Sequence, residues 1–160
     1  MMQDNTRSCC PSGRAWAVCL LRLALGMCFL FYGLHKFGIG DPKADKGVVA
    51  AYRSTVAGLT GLFHDTWLAG FPSSSFSHAI PFLEVGLGGL LILGFRTRAA
   101  LVLTGATLIG LTFGMVVMHN LDTVAKNLVY LLLDGVALAL VDDGNAFSLD
   151  ACRACKRSGL

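Results

Sequence analysis

Arg22, Lys36, Glu84 and Asp134 are charged side chains placed within or at the edge of long apolar runs. A charge in hydrocarbon is costly, so each one calls for a partner or a purpose. Spacing shows how they are grouped. Arg22, Gly26, Phe29, Gly33 and Lys36 follow at i, i+4, i+7, i+11 and i+14. At ~100° per residue they share one helix face, from which His35 points away. Asn127, Tyr130 and Asp134 form a similar stripe. Glu84 is followed one turn later by Gly88, which permits close contact between helices.

Depth sorts these groups into two levels. Arg22 and Asp134 each lie seven residues from the same-side end of their runs, which is ~10 Å at ~1.5 Å per residue. That match predicts an Arg22–Asp134 ion pair, serving either as a clamp on helix register or as a functional pair. At the other level stand Tyr32, Lys36, Glu84 and Asn127, with His119 and Asn120 at the end of the third run. Lys36 can snorkel to the interface, but Glu84, about one and a half turns inside, has no such escape. Glu84, Lys36 and Tyr32 are the candidate catalytic groups, and Asn127, Tyr130 and His119 the candidate pocket. Such a set can pass a proton while a quinone head group is reduced or oxidised.

The elements that position these side chains follow from hydropathy. Four apolar runs, at about 15–37, 77–95, 99–118 and 123–141, approach the ~20 helical residues that cross a bilayer core. In lipid each backbone amide needs an internal partner, so the runs should be helices. The period-2 alternation of a membrane barrel is absent. The expected fold is an all-α integral membrane four-helix bundle. Composition agrees: 54% of the 160 residues are hydrophobic and 14% charged, against ~25% charged in soluble domains. Disorder is excluded, and a net charge of +3 without a basic stripe argues against nucleic acid as a partner. The first run is too long for a signal peptide and ends in Gly33-Leu34-His35-Lys36-Phe37 rather than a small-residue cleavage site, so it is expected to be a mature span.

Four spans place both termini on one side. Arg7, Arg14, Arg96, Arg98, Arg153, Lys156 and Arg157 fall there, against Lys36, Lys43, Lys46, Arg53 and Lys126 opposite. The short Arg96-Thr97-Arg98 turn weighs most under the positive-inside rule. The expected location is therefore the cell inner membrane, multi-pass, with tails 1–14 and 142–160 in the cytoplasm. Between the first two spans, Asp41-Pro42 reads as a helix start. Val48, Tyr52, Val56, Leu59 and Phe63 then recur at helical spacing. An amphipathic helix at the outer interface is expected there, with Trp67 as its anchor. Phe71-Pro72-Ser73-Ser74-Ser75 reads as the turn returning to the second span.

His35, His64, His78 and His119 show no metal-ligand spacing. A heme held by His35 and His119 conflicts with the outward direction of His35, and His64 and His78 read as solvated or interfacial. Cys152 and Cys155 form a C-x-x-C which, with Cys9 and Cys10, offers a zinc site, a thiol–disulfide pair or simply reduced thiols in a tail.

The run Arg22-Leu-Ala-Leu-Gly26-Met-Cys-Phe29-Leu-Phe-Tyr-Gly33-Leu-His-Lys36-Phe37 resembles the opening span of the DoxX family of small bacterial and archaeal membrane proteins. Pro81-Phe-Leu-Glu84-Val-Gly-Leu-Gly88, continuing to Gly94-Phe-Arg96-Thr-Arg98, resembles the family's second span and the turn after it. The resemblance covers about residues 15–141 and puts Arg22, Lys36 and Glu84 on the family's polar motif positions. It implies a four-helix bundle in the cytoplasmic membrane. Some members are subunits of thiosulfate:quinone oxidoreductase, and others work beside thiol or oxidative-stress enzymes. The long loop and the cysteine-bearing tails lie outside the pattern. With no nucleotide-binding glycine motif and no covalently bound cofactor expected, the electron carrier would be quinone or a partner's cofactor. The first expectation is a subunit in quinone-linked redox chemistry, embedded in the lipid bilayer beside a second redox subunit or copies of itself. The alternatives are a non-catalytic membrane anchor or assembly factor for a redox enzyme, and a small transporter.

Overall fold

The structure, a computed structural model, describes residues 13–40, 47–64, 66 and 71–144, without the side chains of 71–73 and 142–144. Its helices are α1 (Gly13–Lys36), α2 (Val48–Leu62), α3 (Phe71–Leu93), α4 (Thr97–Val117) and α5 (Leu121–Gly144). No strand occurs among the described residues. Four segments are long and apolar enough to cross a bilayer: Gly13–Lys36, Ser74–Leu93, Thr97–Val117 and Leu121–Val141. The molecule is a helical membrane bundle, with α2 added between the first two spans.

Helix ends are set by local backbone chemistry. α1, α3 and α4 close in the same way: a residue one or two positions past the helix takes the left-handed conformation, at Gly38 (φ 75°), Gly94 (φ 65°) and His119 (φ 55°). The following amides, of Ile39, Phe95 and Asn120, then reach back to the carbonyls of Leu34, Leu90 and Met115 at 3.1, 3.2 and 3.0 Å. This six-to-one bond satisfies a carbonyl that the helix end would leave open. Asn120 next caps α5, its Oδ1 accepting the Thr123 amide at 3.2 Å. One correction concerns 71–75, read as a turn but observed as the opening of α3. Proline is tolerated in a first helical turn because the amide it lacks has no intrahelical partner there.

α1 makes its broadest contact with α3 and also packs along α5, which pairs with α4. Glycines set the α1–α3 distance. A Cβ on Gly88 would lie 2.6 Å from the backbone nitrogen of Leu30, and one on Gly33 would lie 2.8 Å from that of Val85. The two backbones therefore touch where the sequence has no side chain. An inner core of Val18, Leu25, Leu91, Leu101, Ala137 and Val141 and an outer one of Phe29, Leu87 and Leu108 fill the bundle. Leu20, Met27, Phe31, Leu128 and Leu132 stay exposed, as the lipid-facing surface of such a bundle requires.

α2 lies across the end of the bundle reached by the C-terminus of α1, called here the outer end. Tyr52 stacks on Phe37 at 5.5 Å and meets Phe82 at 5.6 Å, and the Thr55 hydroxyl donates to the Lys36 carbonyl at 3.2 Å. Phe63 fills the space over Gly114 of α4. Val56 and Phe63 are buried whereas Val48 is exposed. The expected start at Asp41-Pro42 and the anchor Trp67 lie outside the described residues.

Candidate functional site

One ridge of α1 carries Cys28, Tyr32 and Lys36, at i, i+4 and i+8. Facing it, α5 presents Lys126, Asn127 and Tyr130, while α3 contributes Glu84 and α4 closes the back with Leu108, Leu111 and Met115. With Phe29 and Thr123 they surround a cavity of about 310 Å³. One pole is polar and the opposite wall apolar. Tyr130 of α5 faces Tyr32 and Cys28 of α1 across the lining of the cavity.

The charged centre of this site is the Lys36–Glu84 pair. Lys36 Nζ donates to Glu84 Oε1 at 2.5 Å. The close α1–α3 approach builds it: Gly33 sits directly against the Cβ of Glu84, and Lys36 is one turn further along the same face. Glu84 is buried at 4% exposure, whereas the Lys36 side chain keeps 21%. Glu84 Oε2 is buried without a hydrogen-bond partner. Lys126, exposed at the rim, adds a further positive charge to the lining.

Arg22 and Asp134 are also deeply buried, at 4% and 3% exposure, on the packed helices α1 and α5. The Asp134 carboxylate is turned to α4, where Oδ2 lies 2.8 Å from the point that a Gly105 Cβ would occupy. The missing side chain of Gly105 leaves the room that the carboxylate takes. Asp134 Oδ1 and the hydroxyl of Thr104, next to Gly105, are buried without hydrogen-bond partners. Thr107 and Thr112, by contrast, donate to the carbonyls of Leu103 and Leu108 at 2.8 and 2.7 Å.

Of the expected outer set, the structure thus brings Tyr32, Lys36, Glu84, Asn127 and Tyr130 together around one space. His119 and Asn120 are the correction: neither lines the cavity. His119 is exposed because its backbone makes the left-handed closure of α4, and Asn120 is engaged in capping α5. His35 is exposed and stacked on Phe31 at 6.3 Å. His78 is exposed too, its Nδ1 donating to the Ser74 carbonyl at 2.9 Å. Among the described residues no group of three His, Cys, Asp or Glu is placed to hold a metal, and Cys9, Cys10, Cys152 and Cys155 lie outside them. The apolar back wall from α4 and the polar lining residues Cys28, Thr123 and Lys126 escaped the sequence reading. Cys28 was readable as the residue one turn before Tyr32, and Lys126 as the one a turn before Tyr130.

The model of the DoxX family matches residues 17–120, well over half of the chain. That stretch includes Arg22, Lys36 and Glu84 and stops short of Asn127, Tyr130 and Asp134. No curated protein and no solved structure matches the chain.

Proposed function

The chain belongs to the DoxX family, and from that premise we propose that its outer cavity binds a quinone head group, the protein acting as a membrane subunit beside a partner that supplies electrons. The observation that carries this reading is the pairing of a buried Lys36–Glu84 couple with an apolar wall around about 310 Å³ of space. That volume sits at the small end of ligand pockets, roughly 300–1,000 Å³. It suits a single ring with its tail leading out past the exposed Tyr32 and Lys126. When bound, a quinone supplies two-electron, two-proton chemistry.

The residues divide the remaining work. Lys36 Nζ and the Asn127 amide are donors for a carbonyl oxygen, and the hydroxyls of Tyr32 and Tyr130 can donate or accept. Glu84 and Lys36, already sharing a hydrogen bond, form the group that holds or passes a proton at the polar pole. Phe29, Leu108, Leu111 and Met115 keep water from the opposite face. The basic turn Arg96-Thr97-Arg98 and the even number of spans support termini in the cytoplasm, and hence a cavity near the far leaflet. The position of α2 across that end supports its placement at the interface.

Purification from the native membrane tests the reading. Quinone extracted from the wild type, and lost together with quinone-linked electron transfer in Glu84→Gln, is the expected result. A tightly held catalytic subunit with normal activity in Glu84→Gln replaces the reading with that of a membrane anchor.

A further inference from the structure

Glu84 lines the cavity with one oxygen engaged and the other without a partner. Oε1 accepts from Lys36 Nζ, while Oε2 is buried and has no partner. The other polar side chains on the lining are differently equipped: lysines only donate, while the tyrosine and threonine hydroxyls, the asparagine amide and, weakly, the Cys28 thiol can do either. A carboxylate paired with lysine only accepts. Oxidised quinone brings two carbonyl acceptors and nothing to donate. Its reduced form brings two hydroxyl donors, and one of them can donate to Glu84 Oε2 once the carboxyl group turns that unpartnered oxygen into the cavity.

We infer that the cavity binds a hydroquinone more tightly than the corresponding quinone, and that Glu84 Oε2 is the atom that tells the two apart. The inference rests on the reading of the cavity as a quinone site and adds a direction to it. A hydrogen bond to a buried charged group is worth roughly tenfold in affinity. Tenfold tighter hold on the reduced form raises the midpoint potential of the bound two-electron couple by about 30 mV. A site biased in this way draws electrons from a donor toward quinone. It releases its product against the tighter binding, so the reaction class that must follow is quinol oxidation elsewhere in the membrane.

The test uses the full chain in lipid nanodiscs under anaerobic conditions, with a short-tailed benzoquinone and its hydroquinone as probes and dissociation constants from equilibrium dialysis. The expected result is a hydroquinone affinity about tenfold higher in the wild type, a ratio close to one in Glu84→Gln, and loss of both ligands in Leu111→Trp, which fills the cavity. Equal affinities in the wild type overturn the inference, and need no variant to fold. So does a preference that survives in a folded Glu84→Gln. In both cases the quinone site itself stands if Leu111→Trp abolishes binding. Failure of the wild type to bind either probe overturns the reading of the cavity and the inference with it.

Discussion

At the outer end of the bundle a buried carboxylate, Glu84, accepts a hydrogen bond from Lys36 and lines a cavity. At the inner end another, Asp134, is buried to the same degree but is fitted into the notch that Gly105 leaves in α4. Both are acidic groups on membrane helices, yet their surroundings assign them different work. Glu84 has a partner at the end of a helix, where 21% of the Lys36 side chain remains exposed, so the pair stays in touch with the rim of the cavity. Asp134 is held by shape. A carboxylate that lines a cavity is equipped to meet a ligand, and one pressed against a backbone is equipped to fix how two helices sit.

The largest expected effect comes from isolating the outer carboxylate. Lys36→Met leaves Glu84 buried without its cation, and breaking a buried pair in this way costs about 3–5 kcal/mol. Glu84→Gln should cost less, about 1–2 kcal/mol, because Lys36 can turn toward the surface. Denaturant titrations in mild detergent measure both, and the double variant should resemble Glu84→Gln alone. Equal costs for the two single variants would remove the asymmetry on which the outer site is argued. Next in size is Gly88→Val, whose added carbons must push Leu30 and α1 away from α3. Overpacking of this kind costs about 1–3 kcal/mol, and it should also weaken quinone binding, since Lys36 and Glu84 reach each other across that contact.

The inner end should respond in stability but not in ligand binding. Gly105→Ala displaces the Asp134 carboxylate and should cost about 1 kcal/mol, while the ratio of hydroquinone to quinone affinity stays within about twofold. A change in that ratio as large as in Glu84→Gln would join the two ends into one functional unit. The smallest effect is expected at the turn between α4 and α5. His119 holds a left-handed backbone, which disfavours a side chain by ~1–2 kcal/mol. Glycine there gives back part of the gain through chain entropy, so His119→Gly should raise the melting temperature slightly and leave binding unchanged.

Helical period and depth carried much of this architecture into the amino-acid sequence. The face from Arg22 through Gly26, Phe29 and Gly33 to Lys36 was legible because its spacing has only one helical solution, and it is the face buried against the rest of the bundle. The level shared by Tyr32, Lys36, Glu84 and Asn127 was legible because antiparallel spans convert residue number into depth. What depth leaves open is the lateral neighbour. Asp134 could be placed at the level of Arg22, but the notch at Gly105 depends on which faces of α4 and α5 meet. His119 and Asn120 stood at the right level and were drawn into chain reversal instead, a demand of the backbone that hydropathy does not register. The opening of α3 was hidden for a related reason, since proline and serine favour turns and first helical turns alike.

The glycine contacts between α1 and α3 have a mechanical meaning as well. Two helices that meet backbone to backbone leave no slack, so the side of the cavity formed by Lys36 and Glu84 behaves as a rigid jamb. α5, which is the least enclosed of the four spans, is the side expected to yield. A bulky ring entering from the membrane should therefore tilt α5 outward, and spin-label distances would lengthen between α1 and α5 while those between α1 and α3 held still.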